Sequence, residues 1–293
     1  MRVLVTGGTG FIGAAVCLAL RGAGHAVTIV TRDPEHAPDP AVAWEDVGAA
    51  VAESDAIVNL AGEPIAAHRW SAGQKRLILE SREVATAALV DAIASAAQRP
   101  SILVSASAVG YYGPHGDQEL DESAGSGTDF LAEVCTVWER EARRAEEVGL
   151  RVVRLRLGIV VAAGGGALAR MLPPFRAFLG GRLGSGEQWM SWIHRDDVTG
   201  LVVAALENPA YRGAVNATAP HPVTNREFTD GLAAVLARPA WLPAPAFALR
   251  LALGEMATML LTGQRVLPRV ATNLGYVWRY PELGQALHAS VHR

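Results

Sequence analysis

Near its amino end the chain reads Val3-Leu4-Val5-Thr6-Gly7-Gly8-Thr9-Gly10-Phe11-Ile12-Gly13, and this stretch decides the fold. The apolar run is typical of a buried parallel strand, and the glycines follow where that strand turns into a helix. Gly7 permits a tight turn, Gly10 lets a phosphate approach the backbone, and Gly13 lets the helix pack closely on the sheet. The spacing predicts a turn that binds the pyrophosphate of a dinucleotide, with a purely structural glycine turn as the alternative.

Beyond this turn, apolar runs alternate with helical patterns. The predicted strands that follow are Val27–Val30, Ala56–Leu60, Ile102–Ser105 and Val152–Arg156, and the predicted helices are Phe11–Arg21, Val47–Ala52, Ser71–Ala97 and Asp129–Val148. This β-α-β alternation predicts a parallel sheet with helices on both faces and right-handed crossovers. We therefore expect an α/β protein with a doubly wound parallel sheet of the Rossmann type.

The pattern changes after the last of these strands. Residues 163–190 contain glycine clusters and a proline pair, which indicates an excursion toward the substrate side. From Pro220 onward the chain is helical and punctuated by proline. We expect a dinucleotide-binding domain over residues 1–215 and a small, mostly helical C-terminal lobe over 216–293. Between the excursion and that lobe we predict a strand at Trp192–His194 and a helix at Asp196–Glu207.

Composition argues against several classes of protein. Of the 293 residues, 50% are hydrophobic and 19% are charged, which suits a folded protein with a large core. The net charge of −3 and the lack of a Lys/Arg-rich run argue against nucleic acid as a partner. The two cysteines, Cys17 and Cys135, have no partner at metal-ligand spacing. We therefore expect neither a metal site nor a disulfide framework.

The same features bear on the cellular compartment. Cysteine usage of this kind fits a reducing cytoplasm. Met1-Arg2 leads directly into the first strand, without the apolar stretch of a signal peptide. The apolar stretch Phe247–Leu261 is interrupted by Arg250 and Glu255 and is too short to span a bilayer. We expect a cytoplasmic protein that is not bound to a membrane, with a homodimer left open.

The end of the second strand bears on the choice of dinucleotide. It reads Val30-Thr31-Arg32. A carboxylate there would accept a hydrogen bond from a free ribose 2′-hydroxyl, whereas Arg32 can pair with a 2′-phosphate. This favours NADP(H) over NAD(H). Two alternatives stay open: Asp33 is adjacent and would act after a shift of one residue, and Arg32 is otherwise an ordinary surface arginine.

Further motifs resemble a known family. They are Val58-Asn59-Leu60-Ala61-Gly62-Glu63-Pro64-Ile65, Glu80-Ser81-Arg82, Ser107-Ala108-Val109-Gly110-Tyr111-Tyr112-Gly113, Cys135-Thr136-Val137-Trp138-Glu139, Trp192-Ile193-His194-Arg195-Asp196-Asp197-Val198 and Gly263-Gln264-Arg265-Val266-Leu267-Pro268. With the glycine turn they resemble the extended short-chain dehydrogenases/reductases, and more closely their atypical NAD(P)-dependent epimerase/dehydratase-like "epimerase family protein" branch. The resemblance covers nearly the whole chain. It implies a Rossmann fold, bound NADP(H) and a small C-terminal DUF1731-like domain, while the chemistry of the branch is poorly defined.

One family feature is missing. Typical members carry a catalytic Tyr-x-x-x-Lys on the helix after the serine loop, where the lysine lowers the pKa of the tyrosine. The best register places Leu131 and Cys135 in those positions. Leucine cannot transfer a proton, and cysteine cannot supply the fixed charge of lysine. The usual acid–base machinery is therefore absent.

The expected cofactor-binding residues come from the turn, the ends of the strands and the resemblance. They are Gly7, Thr9, Gly10, Phe11, Ile12, Gly13, Thr31, Arg32, Leu60, Ala61, Gly62, Glu63 and Ser105.

Five residues are candidates for catalysis. Ser107 lies where the resemblance places the substrate-orienting serine, and capping of a strand end is the alternative. Tyr111 and Tyr112 follow and are candidates to replace the missing acid, although tyrosines of such a loop more often wall a pocket. Glu63 and His68 lie near the expected nicotinamide end of the crevice and are acid–base candidates. A solvated loop is the alternative for that pair.

Two hypotheses for function follow. In the first, the chain is an NADP(H)-dependent oxidoreductase or epimerase that acts on a small carbonyl or sugar-like substrate. In the second, it is a non-catalytic NADP(H)-binding sensor or scaffold. The polar residues around the crevice favour the first hypothesis, and the missing Tyr-x-x-x-Lys favours the second.

Overall fold

A computed structural model describes residues 1–37 and 40–291. Within these residues the strands are β1 (Arg2–Thr6), β2 (Ala26–Val30), β3 (Ala41–Val42), β4 (Ala56–Asn59), β5 (Ile102–Ala108), β6 (Glu119–Leu120), β7 (Arg151–Leu157), β8 (Ile159–Val161), β9 (Trp189–Met190), β10 (Trp192–His194), β11 (Gly213–Ala217), β12 (Val223–Thr224) and β13 (Arg265–Val266). The α-helices are α1 (Gly13–Gly22), α2 (Val47–Ala52), α3 (Ala72–Ser95), α4 (Phe130–Glu147), α5 (Gly166–Arg176), α6 (Arg195–Glu207), α7 (Asn225–Leu236), α8 (Ala246–Leu253), α9 (Thr258–Leu261), α10 (Arg269–Asn273) and α11 (Leu283–Val291).

The described residues form a seven-stranded sheet with the order β3-β2-β1-β4-β5-β7-β11. All of its neighbouring strands are parallel. The order reverses direction between β1 and β4, and ligands of such sheets bind in the crevice beyond the carboxyl ends of the strands at this point. The predicted doubly wound α/β fold is confirmed.

Successive side chains of β1 point to opposite faces of the sheet, and both faces are covered by helices. Val3 and Val5 point into a core that also contains Val16 of α1 and Val198 of α6. Leu4 points to the other face and packs with side chains of α2, α3 and α4. Because each residue of β1 from Val3 to Val5 is at most 1% exposed, the strand reads as a continuous apolar run.

The structure corrects several predicted boundaries. Two strands of the sheet, β3 and β11, were not predicted, because β3 has two residues and β11 has small side chains around a single valine. Strand β5 extends to Ala108, and helix α1 begins at Gly13 rather than at Phe11. Leu60 lies one residue beyond β4. The division at residue 215 stays a prediction, although β11 continues two residues past it to Ala217.

Most of the helices after β11 pack on the excursion and on the end of the sheet. Helices α7 and α11 contribute Phe228 and Leu287 to a core that includes Leu168 of α5 and Trp192 of β10. This core is separate from the two that cover the central sheet. The C-terminal lobe and the excursion therefore share one apolar interior.

Asp197 attaches the lobe to α6. Its carboxylate is 0% exposed and accepts hydrogen bonds from the backbone N–H groups of Arg279, at 2.6 Å, and Tyr280, at 3.0 Å. The hydroxyl of Tyr276 donates to the Asp197 carbonyl oxygen at 3.1 Å. Burial raises the pKa of the Asp197 carboxyl group. These bonds give Asp197 a structural function that the sequence did not indicate.

Candidate functional site

The glycine turn holds β1, β4 and α1 close together. Gly7 has a φ of 69°, and a Cβ atom there would lie 2.7 Å from the carbonyl oxygen of Leu60. A Cβ atom on Gly13 would overlap the Gly7 carbonyl oxygen. Both positions therefore require glycine. The close approach brings the start of α1 to the point where the strand order reverses.

The start of α1 has open hydrogen-bond donors. The residue that precedes the helix is Ile12, and no side chain caps the helix there. The first N–H groups of a helix lack intrahelical acceptors and carry a partial positive charge. Thr9 and Gly10 are exposed, and Phe11 and Ile12 are half-buried. The turn thus presents donors to the crevice that a phosphate group fits.

A cation that the sequence did not single out lies beside the turn. The guanidinium of Arg195, the first residue of α6, lies 4.8 Å from the centre of the Phe11 ring. Its Nε atom is buried and has no hydrogen-bond partner among the described residues. The same ring would contact a Cβ atom on Gly166, at the start of α5. An orphaned cationic donor next to open helix N–H groups fits an anionic pyrophosphate.

The end of β2 places Thr31 and Arg32 on the other side of the turn. Strand β2 is paired with β1, so its carboxyl end lies beside that of β1. Arg32 is exposed. The carboxylate of Asp33 lies 2.8 Å from Nδ1 of His36, and both groups are exposed. The arginine is thus open to solvent at the edge where a 2′-phosphate is expected, while the adjacent carboxylate has a partner.

The loop after β4 is held from two sides. The N–H of Leu60 donates to the Thr6 carbonyl oxygen at 3.1 Å, and the N–H of Glu63 donates to the hydroxyl of Ser81 at 3.0 Å. Ala61 and Glu63 are half-buried, and Gly62 is exposed. The loop therefore forms a fixed wall of the crevice between β1 and α3.

Ser105 belongs to a buried network under this wall. Its hydroxyl accepts a hydrogen bond from Nδ2 of Asn59 at 3.2 Å, and Asn59 Oδ1 accepts one from the hydroxyl of Thr6 at 2.7 Å. Ser105 is 1% exposed. The bonds tie the carboxyl ends of β1 and β4 to the middle of β5, which fixes the floor on which a ligand would rest.

The five catalytic candidates divide by exposure. Ser107 and Tyr112 are buried, at 1% and 0% exposure, whereas Glu63 and Tyr111 are half-buried and His68 is exposed. The loop that carries His68 is anchored by the Trp70 indole, which donates to the Ile65 carbonyl oxygen at 2.8 Å. The structure thus brings Ser107 and the two tyrosines together and leaves His68 in a solvated loop.

The hydroxyl of Ser107 is engaged by a residue that the sequence did not reveal. It donates to Oε1 of Glu139 at 2.8 Å. The same carboxylate accepts from Nε of Arg156 at 2.8 Å and from Nη1 of Arg154 at 3.0 Å. Glu139 is 2% exposed. Since the serine proton points to this carboxylate, the serine oxygen is left as an acceptor.

Tyr112 is part of the same network and points away from solvent. Its hydroxyl accepts from Nη1 of Arg156 at 2.9 Å and donates to Oδ1 of Asn216 at 2.7 Å. Burial raises the pKa of Tyr112 to about 12, although Arg156 partly opposes the shift. A phenol that is enclosed and holds its proton so firmly is a poor general acid. Tyr111, whose ring covers the Arg156 guanidinium at 3.5 Å, is the better candidate.

The positions of the missing Tyr-x-x-x-Lys pair lie against the serine loop. A Cβ atom on Gly110 would be 3.2 Å from Cβ of Leu131 and 3.8 Å from Sγ of Cys135. Burial raises the pKa of the Cys135 thiol to about 12. The thiol is therefore protonated and offers neither a nucleophile nor a cation at this position.

Two buried charged residues, Glu139 and Arg82, were missed as functional candidates. Glu139 lies four residues after Cys135 on the buried face of α4, and Arg82 lies between Ile78 and Thr86 on the buried face of α3. A charged residue on an otherwise apolar helical stripe is unusual. That signal was present in the sequence.

The described residues offer neither a cluster of metal ligands nor a membrane-crossing helix. Residues 1–37 and 40–291 contain no group of three or more His, Cys, Asp or Glu side chains placed to hold a metal ion. Among the helices of the same residues, none combines the length and apolar character needed to cross a bilayer.

Two family profiles match this sequence. The profile of the NAD dependent epimerase/dehydratase family matches residues 3–217. The chain belongs to this family. A second profile, Domain of unknown function (DUF1731), matches residues 244–290 of this epimerase/dehydratase-family chain. The resemblance drawn from the motifs is confirmed for both parts of the sequence.

Relatives of this epimerase/dehydratase-family chain align with it from end to end. It is 46% identical over 301 residues to the chloroplastic epimerase family protein SDR39U1 homolog of Arabidopsis thaliana, over 99% of this chain and 86% of the relative. It is 39% identical over 295 residues to epimerase family protein YfhF of Bacillus subtilis, over 98% and 97% of the two chains. The crystal structure of human SDR39U1 isoform 2 with NADPH superposes with a TM-score of 0.93 at 40% identity, over 100% of both chains.

Proposed function

We propose that this chain binds NADP(H) in the crevice where the strand order reverses. The observation that carries the proposal is the uncapped start of α1, set against β4 by glycines that admit no side chain. The N–H groups of Phe11, Ile12 and Gly13 would hold the pyrophosphate. The 40% identical human protein whose structure contains NADPH supports the same assignment.

Other residues would complete the site. Thr31 and Arg32 would bind the 2′-phosphate, because an arginine fork pairs well with a phosphate group. Arg195 would offset the charge of the pyrophosphate. The remaining contacts fall to the turn, the wall and the floor of the crevice, at Gly7, Thr9, Gly10, Leu60, Ala61, Gly62, Glu63 and Ser105.

We further propose that the chain is an oxidoreductase or epimerase acting on a small carbonyl or sugar-like molecule. Bound nicotinamide would supply hydride transfer, and the protein would orient the substrate and manage its proton. Ser107, whose own proton goes to Glu139, would orient the substrate as the resemblance implies; it is as buried as Tyr112, so a substrate would have to reach its oxygen past the side chains around it. Tyr111, Glu63 and His68 are the proton-transfer candidates, and Tyr112 is a weaker one because it is buried.

A second candidate function is a non-catalytic NADP(H) sensor or scaffold. The specific observation in its favour is that Leu131 and the protonated Cys135 occupy the positions of the usual acid–base pair. A cofactor site without a proton donor would bind and release the dinucleotide without turnover.

Binding and turnover are tested separately. Titration calorimetry should show tighter binding of NADPH than of NADH, and Arg32→Ala should remove most of that preference. Arg99→Ala, at an exposed arginine just before β5 and so at the opposite, amino end of the strands, should not. Equal affinities for the two dinucleotides would contradict the 2′-phosphate assignment.

For turnover, carbonyl compounds would be screened by following NADPH absorbance. Activity should fall in Ser107→Ala and in Tyr111→Phe. Turnover that survives both changes would exclude these two residues, and tight NADPH binding without any turnover would favour the sensor.

The last proposals concern the cellular compartment, the partners and the oligomeric state of the chain. We retain the cytoplasm, a small-molecule substrate and an open possibility of a homodimer. The relative from Arabidopsis thaliana is named as chloroplastic.

A further inference from the structure

Arg82 is a buried cation that forms no direct ion pair with the described residues. It lies on α3 with 9% of its surface exposed. Its Nη1 atom donates to the carbonyl oxygens of Glu63 and Ile78, both at 3.0 Å. The guanidinium lies 4.9 Å from the centre of the Trp138 ring. Within residues 1–37 and 40–291, no carboxylate lies within 4 Å of it to form an ion pair.

Such a charge is unfavourable for folding unless something compensates it. Taking an arginine out of water removes its hydration, and two neutral carbonyl groups return only part of that free energy. The burial lowers the pKa of Arg82. A neutral glutamine would make the same kind of bond to a carbonyl oxygen, so anchoring of the loop alone does not account for the charge. An unpaired buried charge at a crevice is a candidate for a functional group.

The position of Arg82 connects it with the crevice wall. A Cβ atom on Gly62 would lie 3.0 Å from Cζ and 3.2 Å from Nε of Arg82. The carboxylate of Glu63, on the same wall, interacts with the charge of Arg82, whereas the protonated Cys135 thiol beside it is neutral. Cys135 occupies the place of the missing lysine. Arg82 therefore brings a positive charge from α3 toward the region that a lysine on α4 would otherwise serve.

Part of the guanidinium remains available. Nη1 makes both hydrogen bonds, and Nε and Nη2 make none with the described residues. Neither of these two atoms is among the fully enclosed polar atoms that lack a partner. They therefore keep access to solvent on the side of the loop, and their charge acts on whatever the loop contacts.

We propose that Arg82 makes the crevice selective for the reduced form of the dinucleotide. The inference rests on the proposed NADP(H) binding. In a doubly wound sheet the two halves of the dinucleotide lie on either side of the point where the strand order reverses. The 2′-phosphate half would lie over β2, so the nicotinamide half would lie over β4 and β5, on the side of Arg82. The oxidised nicotinamide ring is cationic and the reduced ring is neutral.

Repulsion from Arg82 therefore acts on NADP⁺ and not on NADPH. The two forms carry the same phosphates, so the phosphate-binding residues contribute equally to both, while the Glu63 carboxylate opposes part of the repulsion. Two like charges about 10 Å apart at an effective dielectric constant of 20 shift an equilibrium on the order of tenfold. We expect the chain to bind NADPH more tightly than NADP⁺, by at most about tenfold because the Glu63 carboxylate offsets part of the repulsion.

The test compares the dissociation constants of NADPH and NADP⁺ by titration calorimetry, in the wild-type chain and three variants. Arg82→Met should bring the ratio of the two constants close to one, mainly through tighter binding of NADP⁺. Arg82→Lys keeps the charge and should keep the preference. Arg151→Met is the matched control: Arg151 Nη1 also bonds only to carbonyl oxygens, those of Ala205 and Tyr211, but at the amino end of β7, away from the crevice.

A wild-type measurement keeps the inference testable even if Arg82→Met does not fold. The dissociation constant of NADP⁺ divided by that of NADPH should fall toward one as the salt concentration rises, since ions screen the repulsion of a partly solvated charge. Equal binding of both forms by the wild-type chain would overturn this inference alone, as would a preference that persists in Arg82→Met. Absence of binding of either form would overturn the proposed function and this inference with it.

Discussion

Replacing Glu139 with glutamine is expected to lower the free energy of unfolding by about 3–5 kcal/mol, the range for removal of one partner from a buried ion pair. Glu139 is 2% exposed, and the Arg156 and Arg154 side chains that it pairs with are 3% and 15% exposed. Glutamine has nearly the same shape, so the change creates no large cavity. It removes the charge that compensates the two arginines.

The hydrogen bonds support the upper part of that range. Glu139 accepts two bonds from Arg156, at 2.8 and 3.0 Å, one from Arg154 at 3.0 Å and one from Ser107 at 2.8 Å. A glutamine amide offers one oxygen acceptor, and its NH₂ group would face guanidinium donors. At least one charged donor would then be buried without an acceptor, which costs more than the loss of a neutral bond.

The measurement is urea unfolding at pH 7.5, followed by circular dichroism. The matched control is Glu83→Gln, which breaks the ion pair between Glu83 of α3 and Arg140 of α4. Their charged atoms lie 2.9 Å apart, and the Arg140 and Glu83 side chains are 55% and 37% exposed. That exposed pair should contribute less than about 1 kcal/mol. If Glu139→Gln is no more destabilising than Glu83→Gln, the network does not stabilise the strand ends as described.

The double variant Glu139→Gln/Arg156→Met separates the pair from its parts. Each single change leaves one buried charge of the pair without its partner, whereas the double change removes both charges. The double variant should therefore lose less stability than the sum of the two single losses. Additive losses would indicate that the two residues act independently.

Three further predictions concern the turn, a buried carboxyl group and the thiols. Gly13→Ala should abolish NADPH binding in calorimetry because its Cβ would overlap the turn, whereas Gly48→Ala, where a Cβ would meet nothing within 4 Å, should leave binding unchanged. Burial raises the pKa of the Glu122 carboxyl group above its ordinary value, so the folded state binds its proton more tightly than the unfolded state does. The wild-type chain therefore loses stability as the pH rises above the ordinary pKa of glutamate, and glutamine, which does not titrate, does not. Between pH 4.5 and pH 7.5, Glu122→Gln should gain stability relative to wild type in urea unfolding. Cys17 and Cys135 are both buried, so a thiol reagent at pH 8 should label two groups per chain only after denaturation, and rapid labelling of the native protein would contradict the described core.

The central sheet could be predicted from the sequence because its signals are local. Each buried strand is a short apolar run next to a glycine turn or a helical pattern, and its side chains need no distant partner to be recognised. Strand β11 lacked this signal. Its residues Gly213–Ala217 include one larger apolar side chain, and its pairing with β7 depends on contacts between distant parts of the chain.

The candidate site was predictable only in part, for a similar reason. The phosphate turn is a continuous motif, so its residues could be named in advance. The bond between Ser107 and Glu139 joins residues 32 positions apart on different elements, and spacing along the chain does not show which side chains meet. Tyr111 and Tyr112 are neighbours in sequence, yet one is half-buried and the other fully enclosed, because the short helix that carries them turns its faces to different surroundings.

The anchoring of the chain's tail through Asp197 limits how the crevice can open. The Asp197 carboxylate accepts hydrogen bonds from two consecutive backbone N–H groups of the lobe, at Arg279 and Tyr280. A rigid-body rotation of the whole lobe away from α6 would break both bonds and leave a buried carboxylate without donors. Helices α8 and α9 contain no buried residue, but Met256 and Ala257 between them are buried, and the Leu260 carbonyl oxygen accepts a hydrogen bond from Gln188. A ligand would therefore have to enter and leave the crevice while the lobe keeps its place against α6.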